Sequence, residues 1–268
     1  MIVYLNGEFL PLEEARVPVL DRGFIFGDGV YEVIPVYNGQ IFKLAEHLQR
    51  LENSLNSIKL VNPLTTEEWT GILNSVITRN DGGDRSIYLQ VTRGVAKRDH
   101  QFPEVVNPTI LVMNNPLNRV AVPAPITAIT CEDTRWKRCN IKSIALLPNI
   151  LLRQAAVEAG ATEAILILDG FVTEGAASNV FIVENGVVIT PPKSNFILPG
   201  ITRDIVLEIM PSAKEENISE AQLRSADEIW VTSSTREILS VISLDNQPVG
   251  TGKAGPVWSQ ALQLYKNL

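Results

Sequence analysis

The sequence is poor in the residues that build metal centres and disulfide frameworks. Its 268 residues include two histidines, His47 and His100, and two cysteines, Cys131 and Cys139. So few histidines exclude a multi-histidine metal site, and no Cys-x-x-Cys spacing occurs. No metal is expected, and the unpaired thiols suit a reducing, cytoplasmic setting. Long apolar runs are also missing: residues 164–168 are far too few to cross a bilayer. The opening MIVYLNGEFL has neither a basic start nor a long apolar stretch, so it does not read as a signal peptide. The formal net charge is −7 and no basic block appears, which argues against nucleic acid as a partner. The common nucleotide and hydrolase signatures (Gly-x-Gly-x-x-Gly, the Walker loop, Gly-x-Ser-x-Gly, His-Glu-x-x-His) are absent as well.

What is present is an ordinary globular balance, with 45% hydrophobic and 20% charged residues. The length suffices for one large domain or two modest ones. Short alternating runs separated by Asn6-Gly7, Asn38-Gly39 and Asn185-Gly186 predict hairpins, because both residues of such pairs tolerate positive φ. Leu44, Leu48, Leu51, Leu55 and Ile58 follow helical spacing over 43–60, and Thr65 or Thr66 starts a second helix with Glu67 and Glu68 in its first turn. Strands are expected at 87–92 and 109–113. The first 115 residues read as a small α+β domain, 116–125 as a proline-bearing linker, and 126–268 as a larger domain. In the latter, helices are expected at 150–159, 201–210 and 257–264, with strands at 126–131, 164–168, 180–183, 187–189, 228–231 and 239–242. The fold class is α/β (α+β) with two domains and mixed, largely antiparallel sheets.

A few residues stand out chemically. Lys142 lies among apolar neighbours, either as an edge lysine reaching for water or as a partly desolvated amine suited to nucleophilic attack. The pattern alone does not decide. Leu198-Pro199-Gly200-Ile201-Thr202-Arg203 opens a helix whose free N–H groups could hold a phosphate or simply be capped. Thr232-Ser233-Ser234-Thr235 offers hydroxyls or a plain turn. Arg50 falls off the leucine face of its helix and reads as a solvated charge. Glu174 sits amid small residues, which suits either close backbone approach or a tight turn.

Taken together and in order, these stretches resemble the fold type IV enzymes that use pyridoxal 5'-phosphate (PLP), which include D-amino acid and branched-chain aminotransferases and aminodeoxychorismate lyase. The resemblance rests on Asp21-Arg22-Gly23 through Tyr31-Glu32, Glu46-His47-Leu48-Gln49-Arg50, Ile141-Lys142-Ser143, Thr173-Glu174-Gly175 through Phe181, and the segment opening at Leu198. Arg98-Asp99-His100 and residues 132–139 look most like the D-amino acid branch.

The resemblance implies that Lys142 binds PLP covalently and shuttles a proton, and that Glu174 pairs with the pyridine nitrogen. It implies a phosphate site from Arg50, Ile201, Thr202, Ser233 and Ser234, with Ser178 and Asn179 also near the cofactor. Tyr31, Arg98 and His100 would fix the substrate carboxylate. D-alanine or D-glutamate would donate to 2-oxoglutarate or pyruvate by a ping-pong cycle, in a homodimer with its active site near the subunit interface. A branched-chain L-aminotransferase, the lyase, and a non-catalytic anion-binding protein are the alternatives.

Overall fold

The computed structural model describes all 268 residues. They form two compact units, Met1–Arg119 with Ile141–Ala145, and Val120–Asn140 with Leu146–Leu268. The segment carrying Lys142 therefore packs with the first unit rather than with the remainder of 126–268. The last strand of the first unit runs to Pro116, into the stretch read as a linker.

In the first unit, β1 (Ile2–Leu5), β2 (Glu8–Pro11), β3 (Gly29–Tyr37), β4 (Gln40–Ile41), β5 (Arg85–Thr92) and β6 (Thr109–Pro116) form one sheet in the order β2-β1-β6-β5-β3-β4. Every pairing is antiparallel. Asn6 and Gly7 sit at φ 50° and 104°, and Asn38 and Gly39 at 51° and 77°, as hairpin turns require. Three helices complete the unit: α1 (Arg22–Phe26), α2 (Leu44–Ser57) and α3 (Thr66–Thr78). α3 starts with a capping box between Thr65 and Glu68.

Leu48, Leu51 and Leu55 of α2 join Val30, Ile34 and Val36 of β3 in one core. Each such side chain contributes about 1.5–3 kcal/mol on full burial. Strand alternation turns Tyr31 and Val33 to the other face, where they are half-buried. Residues 142–144 run beside β3: Tyr31 N donates to Lys142 O at 3.0 Å and Ile144 N to Gly29 O at 3.1 Å.

The second unit holds β7 (Ile126–Glu132), α4 (Leu147–Glu158), β8 (Glu163–Leu168), β9 (Phe171–Gly175), β10 (Asn179–Glu184), β11 (Val187–Thr190), α5 (Ile201–Ile209), β12 (Lys214–Glu215), α6 (Glu220–Ser225), β13 (Glu228–Ser233), β14 (Glu237–Leu244), β15 (Gln247–Pro248) and α7 (Pro256–Lys266). Its sheet runs β12-β11-β10-β13-β14-β7-β8-β9, with β15 pairing β14. The β11–β12, β14–β7 and β7–β8 pairs are parallel and the rest antiparallel, so the mixed, largely antiparallel expectation holds. α4 begins a turn earlier than its apolar spacing suggests, because Pro148 occupies the first turn, where a missing N–H costs nothing. β9 was not expected from the sequence. It makes Glu174 a strand residue rather than a turn residue.

Candidate active site

The first unit presents the lysine. Lys142 is half-buried, its backbone N donates to Ser54 Oγ at 3.2 Å, and its Nζ lies 4.2 Å from the centre of the Tyr31 ring. Tyr31 in turn stacks on Tyr88 with ring centres 5.7 Å apart. The amine is thus presented on an aromatic surface by a backbone pinned at both neighbouring elements.

On the core face of the same strand, Glu32 is fully buried and bonded by two side chains of α2. Arg50 grips it from Nε and Nη2, both at 2.8 Å, and His47 Nδ1 lies 2.8 Å away. Arg50 is therefore buried, not the solvated charge that its helical position suggests. Strand alternation alone puts Glu32 on that face; the pairing is invisible to helical periodicity. Burial by itself would raise the Glu32 carboxyl, but the charge of Arg50 and hydrogen bonds from Arg50 and His47 prevail and hold it at about 2. Burial likewise keeps the His47 imidazole below its ordinary value, against the pull of Glu32 and with a push from Arg50 and Lys142.

Arg98 and His100 lie on an exposed loop, each against the ring of Phe26, at 5.5 and 5.6 Å.

The second unit presents the acid. Glu174 is buried on β9, where Arg135 Nη1 donates to its Oε1, and Asn179 Nδ2 and the Leu198 backbone N donate to its Oε2 at 3.2 and 3.0 Å. Arg135 also holds Asp133 from Nε at 2.9 Å and Nη2 at 2.7 Å. Burial pushes the Glu174 carboxyl up to about 7 despite the opposing charge and hydrogen bond of Arg135. Nothing in the sequence marks the Arg135 partnership beyond the Asp-x-Arg spacing of Asp133 and Arg135 at the end of β7.

Asn179 Nδ2 also donates to Leu198 O at 2.9 Å, tying the acid to the approach of α5. A Cβ on Gly200 would fall 1.9 Å from Asn179 Oδ1, so a larger residue there would displace the amide that bonds Glu174. α5 follows with Ile201 and Thr202 in its first turn and no side chain capping it. Asn179 pairs in register with Thr232 of β13, whose buried Oγ1 has no hydrogen-bond partner. Ser233 and Ser234 come next in the chain, Ser233 pairing with Glu237 at the hairpin end. Ser178 is diverted: its Oγ lies 3.1 Å from the buried Glu163 Oε2.

The second unit thus links one buried acid to an uncapped helix start near hydroxyl groups. This set suits a ligand with a basic ring nitrogen at one end and a phosphate at the other, and PLP has that chemistry.

The family model for class IV amino-transferases matches residues 29–244. The chain is 41% identical to a D-alanine aminotransferase of Staphylococcus aureus (strain MW2), covering 96% of this chain and 94% of that one. It is also 41% identical to a D-alanine aminotransferase of Bacillus licheniformis, covering 100% and 96%. Among solved structures it resembles the branched-chain amino acid aminotransferase of Escherichia coli, with a TM-score of 0.91 and 27% identity over 100% of this chain and 93% of that one. The branched-chain amino acid aminotransferase of T.th., solved with pyridoxamine 5'-phosphate, gives 0.91 at 29% identity, over 99% and 93%.

Proposed function

This chain belongs to the class IV aminotransferases, and from that premise we propose that it uses PLP to transfer the amino group of D-amino acids to 2-oxo acids. D-Alanine and D-glutamate are the proposed donors, with 2-oxoglutarate and pyruvate as acceptors. The observation that carries this reading is the linkage of Glu174, through Asn179 and Leu198, to the uncapped start of α5, in a chain 41% identical over almost its full length to D-alanine aminotransferases.

When bound, PLP supplies an electron-accepting ring that stabilises negative charge at the substrate Cα. Lys142 would hold the cofactor through its amine and, once released, carry the proton to and from Cα on Nζ. Glu174 would keep the ring nitrogen protonated, with Arg135 and Asn179 fixing the orientation of its carboxylate. Ile201 and Thr202 at the helix start, with Arg50, Ser233 and Ser234, would hold the phosphate. Ser178, turned toward Glu163, would act through the shape of the Glu174–Asn179 connection rather than by direct contact.

Tyr31, Arg98 and His100 would fix the substrate carboxylate, and that anchoring selects the D-enantiomer by deciding which substituent of Cα faces Lys142. We also propose a homodimer in which the loop with Arg98 and His100 serves the neighbouring subunit. Exposed apolar side chains on α4, among them Leu147, Ile150 and Leu151, are the kind of surface that a second copy covers. Sedimentation at the mass of a single chain would remove that part of the proposal. The free thiols of Cys131 and Cys139 favour a cytoplasmic location, and no helix is long and apolar enough to cross a membrane.

The likeness to branched-chain enzymes supports a second reading on the same cofactor. Initial rates with 2-oxoglutarate separate the two. D-Alanine is expected to exceed L-leucine in kcat/KM by at least about tenfold, the discrimination that one well-fitted pocket supplies. A preference for L-leucine would overturn the D-amino acid assignment, and release of pyruvate from aminodeoxychorismate without an acceptor would favour the lyase.

A further inference from the structure

The loop with Arg98 and His100 is exposed, and a mobile cationic loop makes a poor carboxylate anchor, since ordering it on binding costs affinity. Its footing is a buried charged cluster in the first unit. Arg22, 3% exposed, donates from Nη1 to the backbone carbonyls of Asp99 at 2.6 Å and Gln101 at 3.3 Å, on either side of His100. Arg22 Nε donates to Asp28 Oδ2 at 2.7 Å. Arg93, 2% exposed, takes the same carboxylate in a fork, Nε to Oδ2 at 2.8 Å and Nη2 to Oδ1 at 3.0 Å. The rest of its guanidinium donates to Ile58 O at 2.7 Å and Lys59 O at 3.2 Å, just past the end of α2.

Phe102 closes the arrangement from the loop side. Its ring is 47% exposed, yet its centre lies 3.7 Å from the Arg93 guanidinium and 5.9 Å from that of Arg22. Phe26 lies beneath Arg22 at 4.9 Å and meets Arg98 and His100. The base of the loop is fixed too: a Cβ on Gly94 (φ 84°) would fall 1.8 Å from Asn107 O, and Gly94 O accepts from Arg22 N at 2.9 Å.

We propose that Asp28 is a positioning residue, which by joining Arg22 to Arg93 holds the loop of Arg98 and His100 in the form that receives the substrate carboxylate. The inference rests on the carboxylate role given above to Arg98 and His100. One carboxylate between two guanidiniums also leaves the cluster with a net positive charge beneath an anion site. Burial would raise the Asp28 carboxyl, but hydrogen bonds and charge from Arg93 and Arg22 hold it below the usual carboxylate range, so it stays ionised at neutral pH. Without it, two buried cations would face each other unpaired and Arg22 would lose the partner that aims it at the loop.

The test uses the PLP-loaded protein and two positions. Asp28→Asn is expected to raise KM for both the D-amino acid and the 2-oxo acid by about tenfold while kcat changes less, because loop disorder weakens carboxylate capture rather than proton transfer. PLP affinity is expected to stay at the wild-type value. Hydrogen exchange of the backbone amides at 96–103 is expected to accelerate by about tenfold, with α2 and the sheet unaffected. Because Asp28→Asn removes a buried charge, Phe102→Ala provides a milder probe with the same split, and Phe102→Tyr, which keeps a ring over Arg93, is expected to restore KM.

Faster exchange with KM unchanged would overturn the positioning role. So would loss of PLP affinity in step with KM, which would mark a general structural defect. Exchange reports on the loop whether or not the protein transaminates. An unchanged exchange rate therefore refutes the cluster, whereas a protein inactive on every amino acid refutes the functional reading instead.

Discussion

Lys142→Ala is expected to lower turnover by on the order of 10^4-fold, the scale at which a positioned acid–base and nucleophilic group acts. The loss should come without loss of fold. The backbone of residue 142 is bonded to Ser54 and Tyr31, and its side chain lies over the Tyr31 ring rather than inside the core of Leu51, Leu55 and Ile34. The thermal midpoint of the PLP-free variant should therefore match that of PLP-free wild type. A variant that folds and still turns over at a normal rate would remove Lys142 from the chemistry.

Glu174→Ala is expected to reduce kcat by on the order of 10^2–10^3-fold, the usual loss when a preorganised electrostatic partner is removed from a dry site. The change also leaves Asp133 as the one acid bonded to Arg135, so that ion pair would persist while the carboxylate proposed to keep the ring nitrogen protonated is lost. Glu174→Gln keeps the shape and isolates the charge.

The same residue sets a pH dependence. Its carboxyl stands at about 7 in the folded protein without cofactor, above the ordinary 4.5, so the folded state holds the proton longer than the unfolded one. Its favourable contribution is complete below about 4.5 and is lost as pH rises through about 7. A protonated ring nitrogen held by Glu174, as proposed, would compensate the buried negative charge. The gap in thermal midpoint between PLP-loaded and PLP-free protein should therefore widen from about pH 5.5 to about pH 8.5 in wild type. It should widen less in Glu174→Gln, which carries the cofactor's own ionisations but not this one. Equal widening in both would contradict the pairing.

Much of the fold was legible in the sequence because it is locally encoded. The Asn-Gly pairs at 6–7, 38–39 and 185–186 have backbone angles that few other residues accept, and the leucine spacing of α2 matches the face it buries. β9 was missed because Phe171, Val172 and Thr173 are followed at once by Glu174, Gly175 and further small residues, too short an apolar run to read as a strand; the strand forms through pairing with β8. The family resemblance singled out Lys142 and Glu174 as residues, but not their surroundings. Arg50 buried on Glu32, Arg135 against Glu174, and Arg22 and Arg93 sharing Asp28 join residues from separate elements. Such pairings depend on tertiary placement, which periodicity does not carry. For the same reason Ser178, just beyond the end of the strand that carries Glu174, could not be seen to turn toward Glu163.

The central claim is that the amine at position 142 is the one joined to the cofactor's aldehyde. Borohydride reduction of the PLP-loaded protein, followed by proteolysis and mass spectrometry, tests it directly. The account predicts one phosphopyridoxyl group per chain, on the peptide containing Ile141-Lys142-Ser143. A label on any other lysine, or no label on yellow, fully loaded protein, would contradict it.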